Sequence, residues 1–390
     1  MHILFVNYEY PPLGGGGGIV NAWLAEELAH RHEVTVLTSR AFDLPAFEQI
    51  RGVEIIRSQT FFRRQMAAAN IPSMAAFVIS GAWRGRKLLQ TRQFDVINTH
   101  FAVPTGPVGA YLSWLGDIPH VLSVHGGDLY DPSKWTSPHR HAILRSTIRQ
   151  IGRRSDAVVC QSTNTNDNFR RYYDPGAEPR LIPLGVPRPP APTESREALG
   201  LRPQETVMIS IGRLVARKQT DQLLRLAGRL RNEAVRLVVV GDGPDLDALQ
   251  RQANELDVAD RVTFAGFVSS QRKVDLLAAA DIYVSTSQHE GFGLVFLEAM
   301  SQGLPVVCYD HGGQTDFLQN GINGAVLPLN DLDGFTSAVG VLVTDPEKRK
   351  TIAERNKVDV ERFYIESCAK QYEALFREVV DTNILATEPR

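Results

Sequence analysis

Short apolar runs rich in β-branched residues alternate along this chain with longer stretches of helical period. HILFVNY opens the pattern, a turn follows, and then a segment with apolar positions three and four apart. Such alternation predicts parallel strands joined by crossover helices. In the first half it predicts strands at 2–8, 33–38, 53–57, 95–100, 120–125, 156–161 and 181–183. Residues 183–192 then hold five prolines in ten positions. Proline supports neither a central strand nor a helix interior, so this segment reads as a linker. Beyond it the alternation restarts, with strands expected at 206–212, 236–240, 262–265, 281–286 and 305–309. The pattern predicts an α/β protein of two Rossmann-like, doubly wound parallel-sheet domains, 1–186 and 187–367, facing a central cleft. Open parallel sheets bind ligands outside the carboxyl ends of their strands, which is where the cleft is expected.

The chain has 390 residues, 43% apolar and 22% charged, enough for two cores and inconsistent with disorder, collagen-like repeats or a coiled coil. Cys160, Cys308 and Cys368 are widely spaced with no CxxC, so reduced thiols are expected rather than disulfides or zinc. MHILFVNYEYPP reads as a strand entering a turn rather than a cleavable signal, and a cytoplasmic location follows as the expectation. Net charge is −2, but residues 1–190 carry 20 Lys/Arg against 15 Asp/Glu and the remainder 22 against 29. The first half is thus positive and suited to something anionic. A pI near 6.6 and the lack of any nucleic-acid motif argue against a nucleic-acid partner.

Several chemistries are excluded. The run Gly14 to Gly18 has Ile19 where a dinucleotide fingerprint needs its last glycine, and the second strand ends Thr38-Ser39-Arg40 without a ribose-binding acid. Gly241-Asp-Gly243 has Leu246 at the third glycine position; no lysine follows a glycine, and neither GxSxG nor HExxH occurs. The glycine run does lie between the first strand and a helix expected to begin near Val20. There, close-approaching amides and a helix N-terminus favour an anion such as phosphate. In the second half, Arg213 and Lys218 follow a strand and precede a helix, as a guanidinium and an ammonium facing a diphosphate leaving group would; two solvated surface cations have the same pattern. The most specific stretch is Gln288-His-Glu290-Gly291-Phe292-Gly293-Leu294 through Glu298, then Gly303-Leu-Pro305. It is a strand end, a glycine-flanked turn and a helix opening near Leu294. Of Glu290 and Glu298, one carboxylate would accept from sugar hydroxyls and the other from a ribose diol, with the amides of Gly291 to Leu294 on phosphate.

This stretch resembles the E-x7-E signature of the retaining, nucleotide-sugar-dependent glycosyltransferases of the GT-B fold, glycosyltransferase family 4. The resemblance extends over nearly the whole chain: YPP before the glycine run, His125-Gly-Gly-Asp128, IPLGV before the linker, GRL with its lysine, VVGDGP, Gly266-Phe267, EGFGL with LEAM, GLPVV, and Gly312-Gly313 with the NGINGAVLP turn. It implies that Glu290 meets the donor sugar and Glu298 the ribose, and that Arg213 and Lys218 bind the diphosphate with amides at Gly16, Gly17 and Gly291, Phe292, Gly293 and Leu294. It also implies that Gly241 and the Phe267-Val268 backbone line the base pocket, and that His125 faces the reacting sugar and acceptor. No metal or other cofactor is required on this reading, the donor being a UDP- or GDP-sugar, and a front-face displacement with retained configuration is implied. The C-terminal helix, about 368–385, is expected to pack back on the first domain. Asp316 departs from the pattern, which more often has glutamate there. A sugar-nucleotide epimerase on the same scaffold and a non-catalytic nucleotide- or glycan-binding protein are the alternative readings.

From Ile55 to Phe94 there is no acid, yet seven Lys/Arg are present, and Gln65 to Trp83 is uncharged. Asn70, Pro72, Ser73, Ser80 and Gly81 break the apolar run too often for a membrane span. A second acid-free stretch, 138–155, sets Arg145, Arg149 and Arg153 on one stripe of a helix. Two readings stand: surfaces that contact an anionic membrane or accept a lipid-linked or anionic glycan, or a solvated basic face over a packed core.

Overall fold

The computed structural model describes residues 1–66 and 69–387; Ala67 and Ala68, within the uncharged stretch, lie outside the described residues. The chain divides into two compact units, Met1–Pro187 with Phe363–Arg390, and Arg188–Arg362.

The first unit runs β1 (His2–Asn7), α1 (Gly16–Ala29), β2 (Glu33–Arg40), β3 (Phe47–Ile50), β4 (Val53–Gln59), α2 (Ile71–Leu89), β5 (Val96–His100), α3 (Thr105–Gly116), β6 (His120–Val124), α4 (Ala142–Arg154), β7 (Ala157–Cys160), α5 (Thr163–Tyr172) and β8 (Arg180–Leu181). Its sheet has the order β3-β4-β2-β1-β5-β6-β7-β8. β1, β5 and β6 are buried along almost their whole length, as strands covered by helices on both faces must be. The pattern of the sequence did not reveal β3. It is a four-residue antiparallel edge, joined to β4 by Arg51 and Gly52, both at positive φ as a tight hairpin turn requires. Helix α1 opens at Gly16, earlier than the Val20 expected. Glycine costs little there, because the first amides of a helix lack intrahelical partners anyway.

The C-terminal helix, Ile365–Thr387, belongs to this unit. Its Ile365, Tyr372, Phe376 and Val379 share one core with Ile3, Phe5, Leu28 and Val34, and Tyr372 Oη donates to Ser123 Oγ at 3.1 Å. The arginine stripe of α4 is largely engaged by its own unit. Arg153 pairs with Asp174 at 2.7 Å, Arg145 donates to the His139 carbonyl at 2.9 Å, and Arg149 donates to the Tyr173 carbonyl. The described residues of α2 differ. Ile71, Ile79 and Trp83 on its outward face are 63%, 75% and 59% exposed, with Lys87 Nζ 3.7 Å above the Trp83 ring.

The second unit carries β9 (Thr206–Ile211), α6 (Thr220–Arg229), β10 (Val235–Val240), α7 (Leu246–Glu255), β11 (Val262–Gly266), α8 (Ser270–Ala279), β12 (Ile282–Ser285), α9 (Leu294–Ser301), β13 (Val306–Tyr309), β14 (Gly324–Leu327), α10 (Leu332–Thr344) and α11 (Pro346–Asp359), after which α12 (Ile365–Thr387) returns to the first unit. The sheet is wholly parallel, in the order β11-β10-β9-β12-β13-β14. β14 falls within NGINGAVLP, read from sequence as a turn. Gly324, at φ +143°, lets it close on β13, since a Cβ there would stand 1.9 Å from the Val306 carbonyl oxygen. No helix of the described residues is long and apolar enough to cross a membrane. The three cysteines are free and buried.

Candidate active site

In the second unit the expected residues gather at the carboxyl ends of β9 to β13. After β9, Arg213 is exposed and a short 3-10 turn, Ala216–Lys218, brings Arg217 and Lys218 round. After β12, residues 286–290 run against that turn. Thr286 Oγ1 donates to the Gln219 carbonyl at 2.8 Å, and the Gln288 amide donates to the Arg217 carbonyl at 2.9 Å. Glu290 is held from the other side by β13's extension. Its amide donates to the His311 carbonyl at 3.3 Å, and its carbonyl accepts from the Gly313 amide at 2.9 Å.

Glu290 is 8% exposed, and its carboxylate forms an ion pair with Lys218; Arg217 Nη1 stands 3.8 Å from its other oxygen. Burial would raise its pKa. Lys218 first, then Arg217, outweigh burial and hold the carboxyl below its ordinary range. Arg217 also donates to the His289 carbonyl. Sequence reasoning gave Arg217 no role; being next to Lys218 in a GRL…K run is its one signal.

Glu298 lies in the second turn of α9 and takes Lys273 Nζ at 2.5 Å on Oε1, while Oε2 is buried without a hydrogen-bond partner among the described residues. Lys273, on α8, was also missed, since nothing in its local sequence marks it. Gly293 caps α9 at φ +95°, so the Leu294 amide opens the helix. The amides of Gly291, Phe292, Gly293 and Leu294 line this turn, while the Phe292 side chain is buried against Phe317. Gly241, at φ +133°, sits where a Cβ would be 1.9 Å from the Gly212 carbonyl oxygen, so its glycine is required by strand approach alone. Phe267, just past β11, is 89% exposed, and Val268 beside it is half-buried.

The first unit holds Gly16, Gly17 and His125. The Gly15 amide is taken by the Glu9 carboxylate at 3.2 Å, whereas Gly16 and Gly17 are the first two residues of α1, whose amides have no partner within the helix. Gly17 lies under Phe101, since a Cβ there would be 2.5 Å from Cζ, and the Phe101 ring packs on His125 with centroids 4.6 Å apart. Phe101 has φ +73°, a strained backbone for a bulky residue. One carboxylate holds this corner together: Asp128 accepts from the Ala102 amide at 2.6 Å and the His125 amide at 2.8 Å. Burial raises the Asp128 pKa to about 6 against those backbone donors. His125 Nε2 is 3.0 Å from His100 Nδ1, and its Nδ1 is buried.

Two family models match successive parts of the chain: Glycosyltransferase Family 4 over residues 14–188 and Glycosyl transferases group 1 over 192–359. The chain belongs to the group 1, family 4 glycosyltransferases. The group takes its sugar from a nucleotide-sugar donor, and this glycosyltransferase has the group's GT-B fold. It is 29% identical to an uncharacterized glycosyltransferase of Methanocaldococcus jannaschii over 384 residues, covering 95% of this chain and 96% of that protein. It is 28% identical to the GDP-mannose-dependent alpha-(1-6)-phosphatidylinositol monomannoside mannosyltransferase of Mycolicibacterium smegmatis over 364 residues, 89% and 90% of the two chains. Among solved structures, sucrose-phosphate synthase from Thermosynechococcus elongatus matches with a TM-score of 0.82 at 21% identity, over 98% of this chain and 100% of that one.

Proposed function

We propose that this glycosyltransferase moves a hexosyl group from a UDP- or GDP-sugar to a hydroxyl of a glycan or lipid-linked acceptor, with retained anomeric configuration and without a required metal. The observation that carries the proposal is the set of two carboxylates, each matched to a lysine, at the carboxyl edge of one parallel sheet: Glu290 with Lys218, and Glu298 with Lys273. A diphosphate brings negative charge to a site whose cations are partly neutralised from within. Lys218 turns from Glu290 toward the phosphate, Arg213 joins it, and Glu290 is released to accept from sugar hydroxyls. Phosphate charge grows as the bond to the anomeric carbon breaks, and fixed cations stabilise that state more than the ground state. The acceptor oxygen bonds to the anomeric carbon on the face the phosphate leaves. Its proton passes to the departing phosphate oxygen, giving glycoside and nucleoside diphosphate. Glu298 holds the ribose, Phe267, Val268 and Gly241 border the base, and His125 lies on the acceptor side.

Thermal stability against a panel of nucleoside diphosphates, with and without chelator, tests the donor site. A ligand at a hundred times its dissociation constant adds about 2.7 kcal/mol. A rise with UDP or GDP that survives chelation is expected; no rise with either overturns the donor assignment. The anomeric coupling of the product's new glycosidic proton, read by NMR, tests retention, and inverted configuration would refute it.

For the acceptor side we propose that α2 contacts an anionic membrane surface. The support is the outward stripe of Ile71, Ile79 and Trp83 followed by Arg86 and Lys87, in a stretch free of acids. A relative named as a phosphatidylinositol monomannoside mannosyltransferase supports a lipid-borne acceptor for the same face. Co-sedimentation with phosphatidylglycerol vesicles should be strong at low salt and weak in a Trp83→Ala, Lys87→Ala double variant. Equal binding to purely zwitterionic vesicles would defeat the electrostatic part.

A further inference from the structure

Two cations of the 3-10 turn, Arg217 and Lys218, face the Glu290 carboxylate, and they are held in different ways. Lys218 Nζ has one partner among the described residues, Glu290 Oε1. Arg217 is fastened at both ends. Its carbonyl accepts from the Gln288 amide at 2.9 Å, while its Nη1 donates to the His289 carbonyl and to Ser287 Oγ, the latter at 3.4 Å. The residue thus spans the three positions before Glu290, and Nη1 stands 3.8 Å from Glu290 Oε2, the oxygen that Lys218 does not hold. The backbone of Glu290 is fixed as well, its amide and carbonyl being tied to His311 and Gly313. Gly312 lies so close that a Cβ there would stand 2.2 Å from the Glu290 carbonyl oxygen.

A diphosphate competes for these two cations unequally. An ammonium is a point charge on a flexible stem, and it exchanges one anionic partner for another without disturbing the backbone. The guanidinium would have to strip the His289 carbonyl of a charge-assisted donor and loosen the segment that carries Glu290. Lys218 is therefore the one that leaves. Glu290 then keeps its burial, which favours the neutral acid, and loses its nearer counter-charge. Its titratable surroundings are Tyr283 of β12 and Cys308 of β13, both kept neutral by burial, with Asp310 exposed past β13 and Glu298 on α9. The His289 and His311 rings lie 5.4 Å apart beside the same turn, and His311 Nδ1 donates to the Gln288 carbonyl at 2.6 Å. The fixed cation left to Glu290 is Arg217.

We propose that Arg217 is a positioning residue for the sugar-binding carboxylate: fastened to residues 287–289, it stays beside Glu290 when a diphosphate draws Lys218 away. The diphosphate and sugar roles rest on the proposed function; the pairing of Arg217 with Glu290 belongs to the free protein. In the free enzyme two cations face Glu290, and the loss of Arg217 is covered by Lys218. In the nucleotide complex Arg217 acts alone. It keeps Glu290 a charged acceptor, which takes hydrogen bonds from sugar hydroxyls more strongly than the neutral acid does.

Carbon-13 titration of the glutamate carboxyls in the full chain, with the Glu290 signal assigned by Glu290→Gln, reads the effect directly. Arg217→Gln keeps a donor for the His289 carbonyl and removes the charge, whereas Arg217→Lys keeps the charge. With saturating UDP or GDP, Glu290 of Arg217→Gln should titrate about one pH unit higher than in the wild type, a tenfold rise in proton affinity. Without nucleotide the difference should be smaller, and Arg217→Lys should restore the wild-type titration. An unmoved titration in the Arg217→Gln complex overturns the proposal, as does a lysine variant that behaves like the glutamine one. If the variants do not fold, a crystal structure of the wild type with UDP or GDP decides. Lys218 Nζ should then lie on a phosphate oxygen with Arg217 Nη1 still on the His289 carbonyl; Arg217 on the phosphate, or Lys218 still on Glu290, overturns it. Failure of the wild type to bind either nucleotide would count against the proposed function. The free protein then judges Arg217: Glu290 should titrate about one pH unit higher in Lys218→Met with Arg217→Gln than in Lys218→Met alone, and equal titrations overturn the proposal.

Discussion

Burial raises the Glu290 pKa, and Lys218 with Arg217 brings it below its ordinary value. Lys218→Met removes the largest of the opposing charges, so the Glu290 pKa rises. In the wild type its depressed pKa contributes stability above the ordinary carboxylate range, lost only as pH falls through the lower folded value. In the variant that contribution shrinks or changes sign, and donor binding should weaken as pH falls through a higher value than in the wild type. We expect turnover to drop at least about a hundredfold, the scale of losing one preorganised charge, with the fold retained by circular dichroism. Wild-type-like rates in Lys218→Met or Glu290→Ala would remove the assigned roles. Lys273→Met leaves Glu298 with neither oxygen fixed by an ammonium, and nucleotide affinity by calorimetry should fall about tenfold, which corresponds to about 1.4 kcal/mol. The two glutamates were legible because the E-x7-E spacing lies within one turn and helix. Their lysines were harder to read: Lys218 meets Glu290 across 72 positions and Lys273 meets Glu298 across 25, distances that only strand order closes.

At the scale of elements, α12 carries part of the first unit's core although it is the last segment of the chain. Phe376 is fully buried there, and Phe376→Ala should cost about 3–5 kcal/mol. Urea unfolding followed separately in the two units should show the loss in the first unit's transition and leave the second's midpoint in place. Equal shifts in both would mean that the helix stabilises more than the unit it packs in. The long, β-branched strands were readable from pattern, since parallel strands buried on both faces are near-continuous apolar runs. β3 and β14 were not. Each has four residues, β3 with exposed Phe47 and Ile50 at a sheet edge, and β14 hidden among the glycines of NGINGAVLP. The arginine stripe of α4 shows the converse. Its spacing was read correctly, and its three arginines also bond within the unit, to the segment just after α5 (Tyr173 and Asp174) and to His139 just before α4.

For the molecule as a whole, three histidines of the first unit, His100 and His120 buried and His125 half-buried, make stability fall on acidification. His100, His120 and His125 are neutral in the fold, with His120 held between Thr99 Oγ1 at 2.7 Å and Ser155 Oγ at 3.1 Å and pushed by burial to about 4. The unfolded chain binds those protons from 6.5 downward and the folded one does not, so stability is lost as pH falls from 6.5 toward 4. Asp128 works the other way: its pKa, raised to about 6, adds stability as pH falls from 6 toward its ordinary value. Burial also lowers His2, His32 and His139 and raises Glu9 as well as Asp128, so the histidines outnumber the raised carboxyls and the net is a loss, at most about 1.4 kcal/mol per pH unit for each histidine. Urea midpoints at pH 7 and pH 5 should differ accordingly in the first unit, and equal midpoints would refute the neutral-histidine reading. The sequence by itself determined the α/β class, the two-sheet organisation, the family and the strand ends at which Glu290, Lys218 and Glu298 gather, because periodicity and glycine-flanked turns are local properties. Tertiary structure alone decided which charges meet and which histidines are buried against one another. Those depend on neighbours brought together by sheet order, dozens of residues apart in the chain, and on a burial that sets the protonation of each.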